Sequence, residues 1–187
     1  SNEILYSTLQ NGTSDYDVII PSDYMIGRMI AEDMLEPLNF DNIPNYSYID
    51  SDYRNLEYDP DNTYSVPYMW GVLGIIYNTT MVSSPITSWQ TLFDDTYAGQ
   101  VLMFDNSRDT IGIALKAMGY SYNTTDPAQI TEAVDLLVQQ KEDGIVQAYV
   151  MDQIFDKLEG GEAAIGVYYG GDALTMMEVN PDLGYVV

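Results

Sequence analysis

The feature that most constrains this sequence is a regular alternation of strand-like and helix-like segments that starts near residue 88. Apolar runs typical of buried strands occur at 100–104, 145–150, 163–169 and 184–187. Helical patterns occur between them, at 108–118, from 126 onward, at 152–161 and from 170 onward. Because parallel strands need crossover connections, this rhythm predicts an α/β fold with a mostly parallel sheet that is covered on both faces.

The helical patterns also predict which faces are buried. Apolar residues recur at helical spacing in two segments, and we expect them to face the core: Ile111, Ala114, Leu115 and Met118, and Ile130, Val134, Leu137 and Val138. Ser88 is expected to cap a short helix over 88–95.

The first part of the chain is less regular. We expect a helix at about 3–10, a buried strand at 17–20, and a helix over 24–34 that Ser22 or Asp23 caps. Residues 37–64 are rich in Pro, Asn, Asp and aromatic residues, and the motif DPDN at 59–62 predicts a turn.

The stretch SVPYMWGVLGIIYN at 65–78 separates these two parts. Its β-branched and aromatic residues predict a long strand, and Gly71 and Gly74 permit a bend or a close backbone approach. We interpret it as the segment that carries the chain from one lobe into another. An ordinary buried strand is the alternative.

Composition excludes several kinds of chemistry. The 187 residues contain no cysteine and no histidine, which removes disulfides, thiolate nucleophiles, Ser-His-Asp triads and the usual zinc ligands. The formal net charge of −23 disfavours nucleic acid and anionic membranes and favours cationic partners, although an acidic surface can serve solubility alone. We expect no metal and no cofactor. No run of about 18 apolar residues occurs.

Candidate binding residues follow the predicted strands, where open α/β sheets place their ligands. They are Ser22 and Tyr24 after 17–20, Asp105, Asn106 and Asp109 after 100–104, Asp152 after 145–150, and Tyr169 at the end of 163–169 with Asp172 after it. Simple helix capping is the alternative for the acids at helix starts. Carboxylates, amides and aromatic rings together suit an organic ammonium group, which offers N–H donors and a charge attracted to ring faces.

At these residues the chain resembles the spermidine/putrescine-binding proteins of polyamine ABC importers. The resemblance is carried by SVPYMWG with the following IYN, by PSDYM, by ITSWQTLFDDTYAGQVLMFDNSRD and by ALKAMGYSYNTTDP. It implies the type II periplasmic-binding-protein fold, with a ligand held between two lobes. It also implies a fragment: 1–64 a partial first lobe, 65–78 the crossover or hinge strand, and 79–187 a second α/β lobe.

The resemblance assigns roles to individual residues. Ser22 and Tyr24 match cleft residues of the first lobe. In the second lobe, Asn106 lies where the family often has an aspartate, Asp109 where it has a glutamate that holds an ammonium group, and Tyr169 where it has a tryptophan that stacks on the polyamine. Asp105, Asp152 and Asp172 are weaker candidates. The lost charge at 106 and the shorter acid at 109 make putrescine or another small cation as plausible a ligand as spermidine.

These observations lead to the hypothesis of an extracytoplasmic solute-binding component of a polyamine importer, periplasmic or anchored at the cell surface as a lipoprotein, and not an enzyme. Its expected partners are a polyamine and a membrane permease, with self-association of the fragment and only weak polyamine binding by this chain alone. Two alternatives remain open. One is a carboxylate-dependent hydrolase that uses Asp105 and Asp109, and the other is a non-catalytic acidic surface module.

Overall fold

The structure is a computed structural model that describes residues 1–187. The chain divides into two compact units, Ser1–Trp70 and Gly71–Val187. The division falls inside the 65–78 segment. The lobe boundaries expected from the sequence, and the crossing of 65–78 between lobes, stay predictions.

Two helices and a series of short turns build the first unit. The helices are α1 (Asn2–Gln10) and α2 (Asp23–Ala31), and single 3-10 turns occupy Phe40–Asn42, Pro44–Tyr48 and Ser51–Tyr53. Tyr6 of α1 is buried with Met25 and Met29 of α2 in a small apolar core. The expected helix at 3–10 is confirmed, and the expected helix over 24–34 is shorter than its sequence pattern predicted.

The predicted strand at 17–20 is wrong. These residues adopt no regular structure, and the side chains of Val18 and Ile20 are 80% and 75% exposed. A strand is stabilised by hydrogen bonds to a neighbouring strand, and the first unit contains no other strand. Residues 17–20 thus have the apolar pattern of a strand but no neighbouring strand to which their backbone could hydrogen-bond.

Asp59 organises the irregular segment before residue 65. Its side chain is only 3% exposed and accepts hydrogen bonds from the backbone N–H groups of Thr63 and Tyr64, each at 3.0 Å, and from the Ser65 hydroxyl at 2.7 Å. The N–H of Asn62 donates to the Asp59 carbonyl at 2.9 Å, so the predicted turn at 59–62 is confirmed. A buried carboxylate is tolerated here because several donors satisfy it.

The second unit contains a five-stranded sheet. Its strands are β1 (Leu73–Asn78), β2 (Val101–Phe104), β3 (Val146–Val150), β4 (Ile165–Tyr169) and β5 (Leu183–Val186), in the order β3-β2-β4-β1-β5. β2 is parallel to β3 and β4, and β1 is antiparallel to β4 and β5. Four strands therefore share one direction, which confirms the mostly parallel sheet, and β1 alone runs the other way.

The long bent strand expected over 65–78 is wrong in its first half. Only β1 is a strand, and residues 65–72 form no ladder. Pro67 has no N–H to donate to a neighbour, and the Trp70 ring stacks on Tyr53 while remaining 64% exposed. The close approach expected at Gly74 is present, because a Cβ there would lie 2.4 Å from Cζ of Tyr185.

The second unit also contains four helices. They are α3 (Ser107–Ala117), α4 (Pro127–Glu142), α5 (Ile154–Glu159) and α6 (Gly170–Val179). The core of the second unit joins apolar side chains of the strands with those of α3, α5 and α6. Near 88, only 3-10 turns form, at Trp89–Phe93 and Asp95–Tyr97, and the Ser88 hydroxyl accepts from the N–H of Gln90 as expected.

The buried face of α4 agrees only in part with the expected one, since Leu137 packs as expected and the two valines do not. Ala133 is buried, and Leu136 and Leu137 pack against α3, whereas Val134 is exposed and Val138 is 49% exposed. The apolar residues of α4 lie on two adjacent faces of the helix. The face that carries Ala133 is buried because it packs against α3.

Candidate functional site

The candidate site lies at one edge of the sheet in the second unit. β2, β3 and β4 share one direction, so the segments that follow them start at the same edge. These segments contain Asn106 and Asp109, Asp152, and Asp172. The topology therefore brings together residues that are far apart in the sequence.

Asn106 fixes the start of α3 and the position of Asp109. It is the N-cap residue, and its Oδ1 accepts from the backbone N–H of Asp109 at 3.3 Å. Its Nδ2 donates to Asp109 Oδ2 at 2.8 Å. The buried Thr110 hydroxyl donates to the Phe104 carbonyl at 2.9 Å, which ties the first turn of α3 to the end of β2. Helix capping, the alternative role considered for this segment, is therefore present, and the capping residue Asn106 also orients the Asp109 carboxylate.

Three side chains donate hydrogen bonds to the Asp109 carboxylate. Tyr122 donates to Oδ1 at 2.6 Å, and Oδ2 accepts from Asn106 at 2.8 Å and from the Tyr169 hydroxyl at 3.0 Å. A carboxylate offers about four lone-pair sites, so about one is left for a further donor. Asp109 is partly buried in the first turn of α3, where the helix dipole favours negative charge. It is a fixed anionic acceptor.

Tyr122 comes from the loop after α3 and was not among the residues selected from the sequence. Its ring lies over Gly112, where a Cβ would be 2.2 Å from Tyr122 Cε2, so the helix carries no side chain at the point of contact. Burial, followed by the hydrogen bond to Asp109 and the charge of Asp109, raises the pKa of the Tyr122 phenol above its ordinary value. The phenol is therefore a protonated donor at neutral pH.

Aromatic rings line the region beside this acid. The Phe104 ring centroid lies 5.2 Å from that of Tyr169 and 5.6 Å from that of Tyr168, and the two tyrosine rings are 5.3 Å apart. Phe155 meets Tyr168 edge to face at 5.6 Å. Tyr169 remains partly exposed, whereas Tyr168 is buried. Tyr169 can therefore present both a hydroxyl and part of a ring face to a ligand.

The weaker candidates lie nearby but are not part of the Asp109 group of hydrogen bonds. The exposed Asp152 accepts from the Tyr168 hydroxyl at 3.1 Å. Burial, the hydrogen bond to Asp152 and the charges of Asp152 and Asp172 raise the pKa of Tyr168. Asp105 and Asp172 have exposed side chains, and the Asp105 N–H donates to the Val150 carbonyl at 3.0 Å.

Ser22 and Tyr24 belong to the first unit and are held by α1. The Asn2 amide donates to the Ser22 hydroxyl and to the Tyr24 hydroxyl, each at 3.0 Å, and Tyr24 donates to Glu3 at 2.8 Å. Ser22 is the N-cap residue of α2, yet its side chain makes no capping hydrogen bond. Both hydroxyls therefore bond to side chains of α1, and Asn2 and Glu3 were not among the residues selected from the sequence.

The structure thus joins Tyr169 to Asn106 and Asp109, two residues that follow a different predicted strand. It adds Tyr122, for which the available signal was Gly112, since an isolated glycine inside a helical pattern often has a packing reason. No group of three or more acidic side chains is arranged to hold a metal ion, and no helix is long and apolar enough to cross a membrane. The side chains hydrogen-bonded around Asp109 can bind a cationic N–H donor through one fixed carboxylate and a neighbouring aromatic ring.

The sequence pattern of the bacterial extracellular solute-binding proteins matches residues 5–187. The chain belongs to this family. Membership supports the solute-binding interpretation over the hydrolase, because the family is one of binding proteins. It also agrees with the expected α/β fold.

Several known proteins resemble the chain over its whole length. The spermidine/putrescine-binding periplasmic protein of Escherichia coli K12 is 32% identical over 188 residues, covering 100% of this chain and 53% of the relative. The spermidine/putrescine ABC transporter substrate-binding protein PotD from Streptococcus pneumoniae is 39% identical in sequence, and its structure matches with a TM-score of 0.76. The match covers 100% of this chain and 57% of the Streptococcus pneumoniae chain. A lipoprotein of Treponema pallidum is 25% identical, with a TM-score of 0.87, and covers 100% and 59%.

The matches cover only part of each relative. This solute-binding protein chain spans about half the length of the relatives it matches. Its fold and family are established, and two of these three relatives carry spermidine and putrescine in their names.

Proposed function

We propose that this chain is part of an extracytoplasmic solute-binding component of an ABC importer and that its ligand is a polyamine. The observation that carries the proposal is the fixed Asp109 carboxylate beside the Tyr169 ring. Oδ2 of Asp109 accepts the Tyr169 hydroxyl at 3.0 Å, so charge and ring lie within reach of one ammonium group. The names of the relatives support a polyamine as the source of that group.

The proposed roles follow from the contacts. Asp109 accepts one N–H of the ammonium group and neutralises its charge, and Asn106 and Tyr169 hold Asp109 in place. The Tyr169 ring face contacts the methylene chain or the charge, an attraction of about 0.5–2 kcal/mol. Ser22 and Tyr24 stay proposed ligand contacts of the first unit, and Asp105, Asp152 and Asp172 stay weaker candidates.

The choice between polyamines follows from the charge count. Asn106 contributes no charge, so Asp109 is the only carboxylate in its group of hydrogen bonds. One carboxylate matches one ammonium end, which favours a diamine such as putrescine over the longer and more highly charged spermidine. A membrane permease is the proposed partner, and self-association through exposed residues such as Val18 and Ile20 remains a further proposal.

A thermal shift panel tests this function. Putrescine, spermidine, 1,4-butanediol, a sugar and a neutral amino acid are compared at equal concentration and constant ionic strength, because a ligand that binds the folded state raises the melting temperature. We expect stabilisation by the two polyamines alone and loss of that stabilisation in Asp109→Asn. Equal shifts with 1,4-butanediol, or stabilisation by the sugar alone, would contradict the proposal.

A further inference from the structure

Tyr122 has a hydrogen-bonding role that the family resemblance did not assign. It lies thirteen positions after Asp109 in the sequence, in the loop that follows α3, and its hydroxyl donates to Asp109 Oδ1 at 2.6 Å. The other two donors, Asn106 and Tyr169, both bind Oδ2. Tyr122 is therefore the one of these three donors that binds the second oxygen, so the Asp109 side chain is held through both of its oxygens.

The packing around Tyr122 supports a specific function for this contact. The ring lies against α3 at Gly112, and a Cβ at that position would lie within 2.7 Å of three ring atoms. Glycine inside a helix is less favourable than alanine. Gly112 thus lowers the helix propensity of α3 at the position where the Tyr122 ring occupies the space of a side chain. The neighbouring Arg108 guanidinium donates to Asn123 at 3.1 Å, which anchors the same loop to α3.

We infer that Tyr122 is a positioning residue of the ligand site, which orients the Asp109 carboxylate through a hydrogen bond to Oδ1 and for which Gly112 provides the space. With both oxygens held, Asp109 presents its remaining lone pair in one direction. A preorganised acceptor does not lose side-chain freedom when the ligand binds. The ligand-binding part of this inference rests on the proposed function, and the orientation of Asp109 does not.

The test compares Tyr122→Phe with Tyr120→Phe. Tyr122→Phe keeps the ring over Gly112 and removes only the hydroxyl. Tyr120 is a matched control two residues away, because its hydroxyl also donates to a carboxylate, Glu132, at 2.7 Å on the exposed surface. Without ligand, NMR couplings report the rotamers of Asp109. We expect averaging over several rotamers in Tyr122→Phe and one rotamer in Tyr120→Phe and the wild type. A single Asp109 rotamer in Tyr122→Phe would overturn the inference.

A double-mutant cycle with Asp109→Ala tests the effect on binding, measured by NMR titration with putrescine. We expect Tyr122→Phe to weaken binding by about threefold to tenfold, because a side chain that is no longer preorganised has to be ordered when the ligand binds. We expect no further effect of Tyr122→Phe in the Asp109→Ala background. An equal loss in both backgrounds would show that Tyr122 does not act through Asp109 and would overturn the inference. No loss in Asp109→Ala itself would refute the proposed function, while the rotamer measurement still decides the role of Tyr122.

Discussion

The substitution Gly112→Ala gives the sharpest prediction, because two effects of opposite sign compete. Alanine in the interior of α3 gains about 1 kcal/mol of helix stability over glycine. The new Cβ, however, would lie 2.2 Å from Tyr122 Cε2 and 2.4 Å from Cζ. Carbon atoms in contact lie about 3.5–4.0 Å apart, so the ring has to move by more than about 1 Å.

A ring movement of that size breaks the 2.6 Å hydrogen bond from Tyr122 to Asp109. A hydrogen bond to a charged group contributes about 1.5–3 kcal/mol, and we use the lower half of this range because both side chains are partly exposed. Part of the ring packing is lost as well. After the gain in helix propensity is subtracted, we expect Gly112→Ala to lower the free energy of unfolding by about 1 kcal/mol.

Urea denaturation of the chain measures this free energy. The matched background is Tyr122→Ala, in which the ring is gone and only the helix effect remains. There, Gly112→Ala should raise the free energy of unfolding by about 1 kcal/mol. A stabilising effect of Gly112→Ala in the wild-type background would refute the claim that Gly112 exists to accommodate Tyr122.

Two further predictions concern the charge at the site and its pH dependence. In the intact protein, Asp109→Asn should weaken polyamine binding by about 2–5 kcal/mol, because a buried charge pair depends on both partners, and Tyr169→Ala should weaken it by less. Isothermal titration calorimetry measures both losses. Asp126→Asn is the control, since it makes the same charge change at the N-cap of α4 and should have little effect on binding. The raised pKa values of Tyr122 and Tyr168 mean that the folded state binds these protons more tightly than the unfolded chain. Their contribution to stability is complete below the ordinary tyrosine pKa of about 10 and is lost above it. Tyr122→Phe should therefore reduce the fall in the free energy of unfolding above about pH 10. An unchanged dependence of that free energy on pH in the variant would contradict this.

The second unit follows its sequence closely because its signals are local. From residue 100 onward, each apolar run became a strand and each amphipathic pattern a helix, with boundaries shifted by a few residues. The short helix expected over 88–95 formed only 3-10 turns. The reversed direction of β1 had no local signal, since a buried strand has the same composition in either direction. The segments at 17–20 and 65–72 failed because a strand pattern forms a strand only beside a partner.

The candidate site was predictable where it depends on topology. The rule that parallel strands end at one edge brought Asn106, Asp109 and Tyr169 under consideration, and the structure places them in hydrogen-bonding contact. Tyr122 was missed because its position depends on the absent side chain of Gly112, ten residues earlier. The contacts of Ser22 with Asn2 also depend on the packing of α1 beside α2, which no spacing in the sequence specifies.

The most direct test of the central claim is an NMR titration of the isotopically labelled chain with putrescine, with 1,4-butanediol as the uncharged control at equal ionic strength. Weak binding is sufficient for this measurement, because it reports the location of the ligand as well as the affinity. We expect saturable shifts centred on Asn106, Asp109, Tyr122 and Tyr169 with putrescine alone, and their loss in Asp109→Asn. Shifts spread evenly over the acidic surface, or identical shifts with 1,4-butanediol, would contradict the assignment of this sheet edge as the ammonium site.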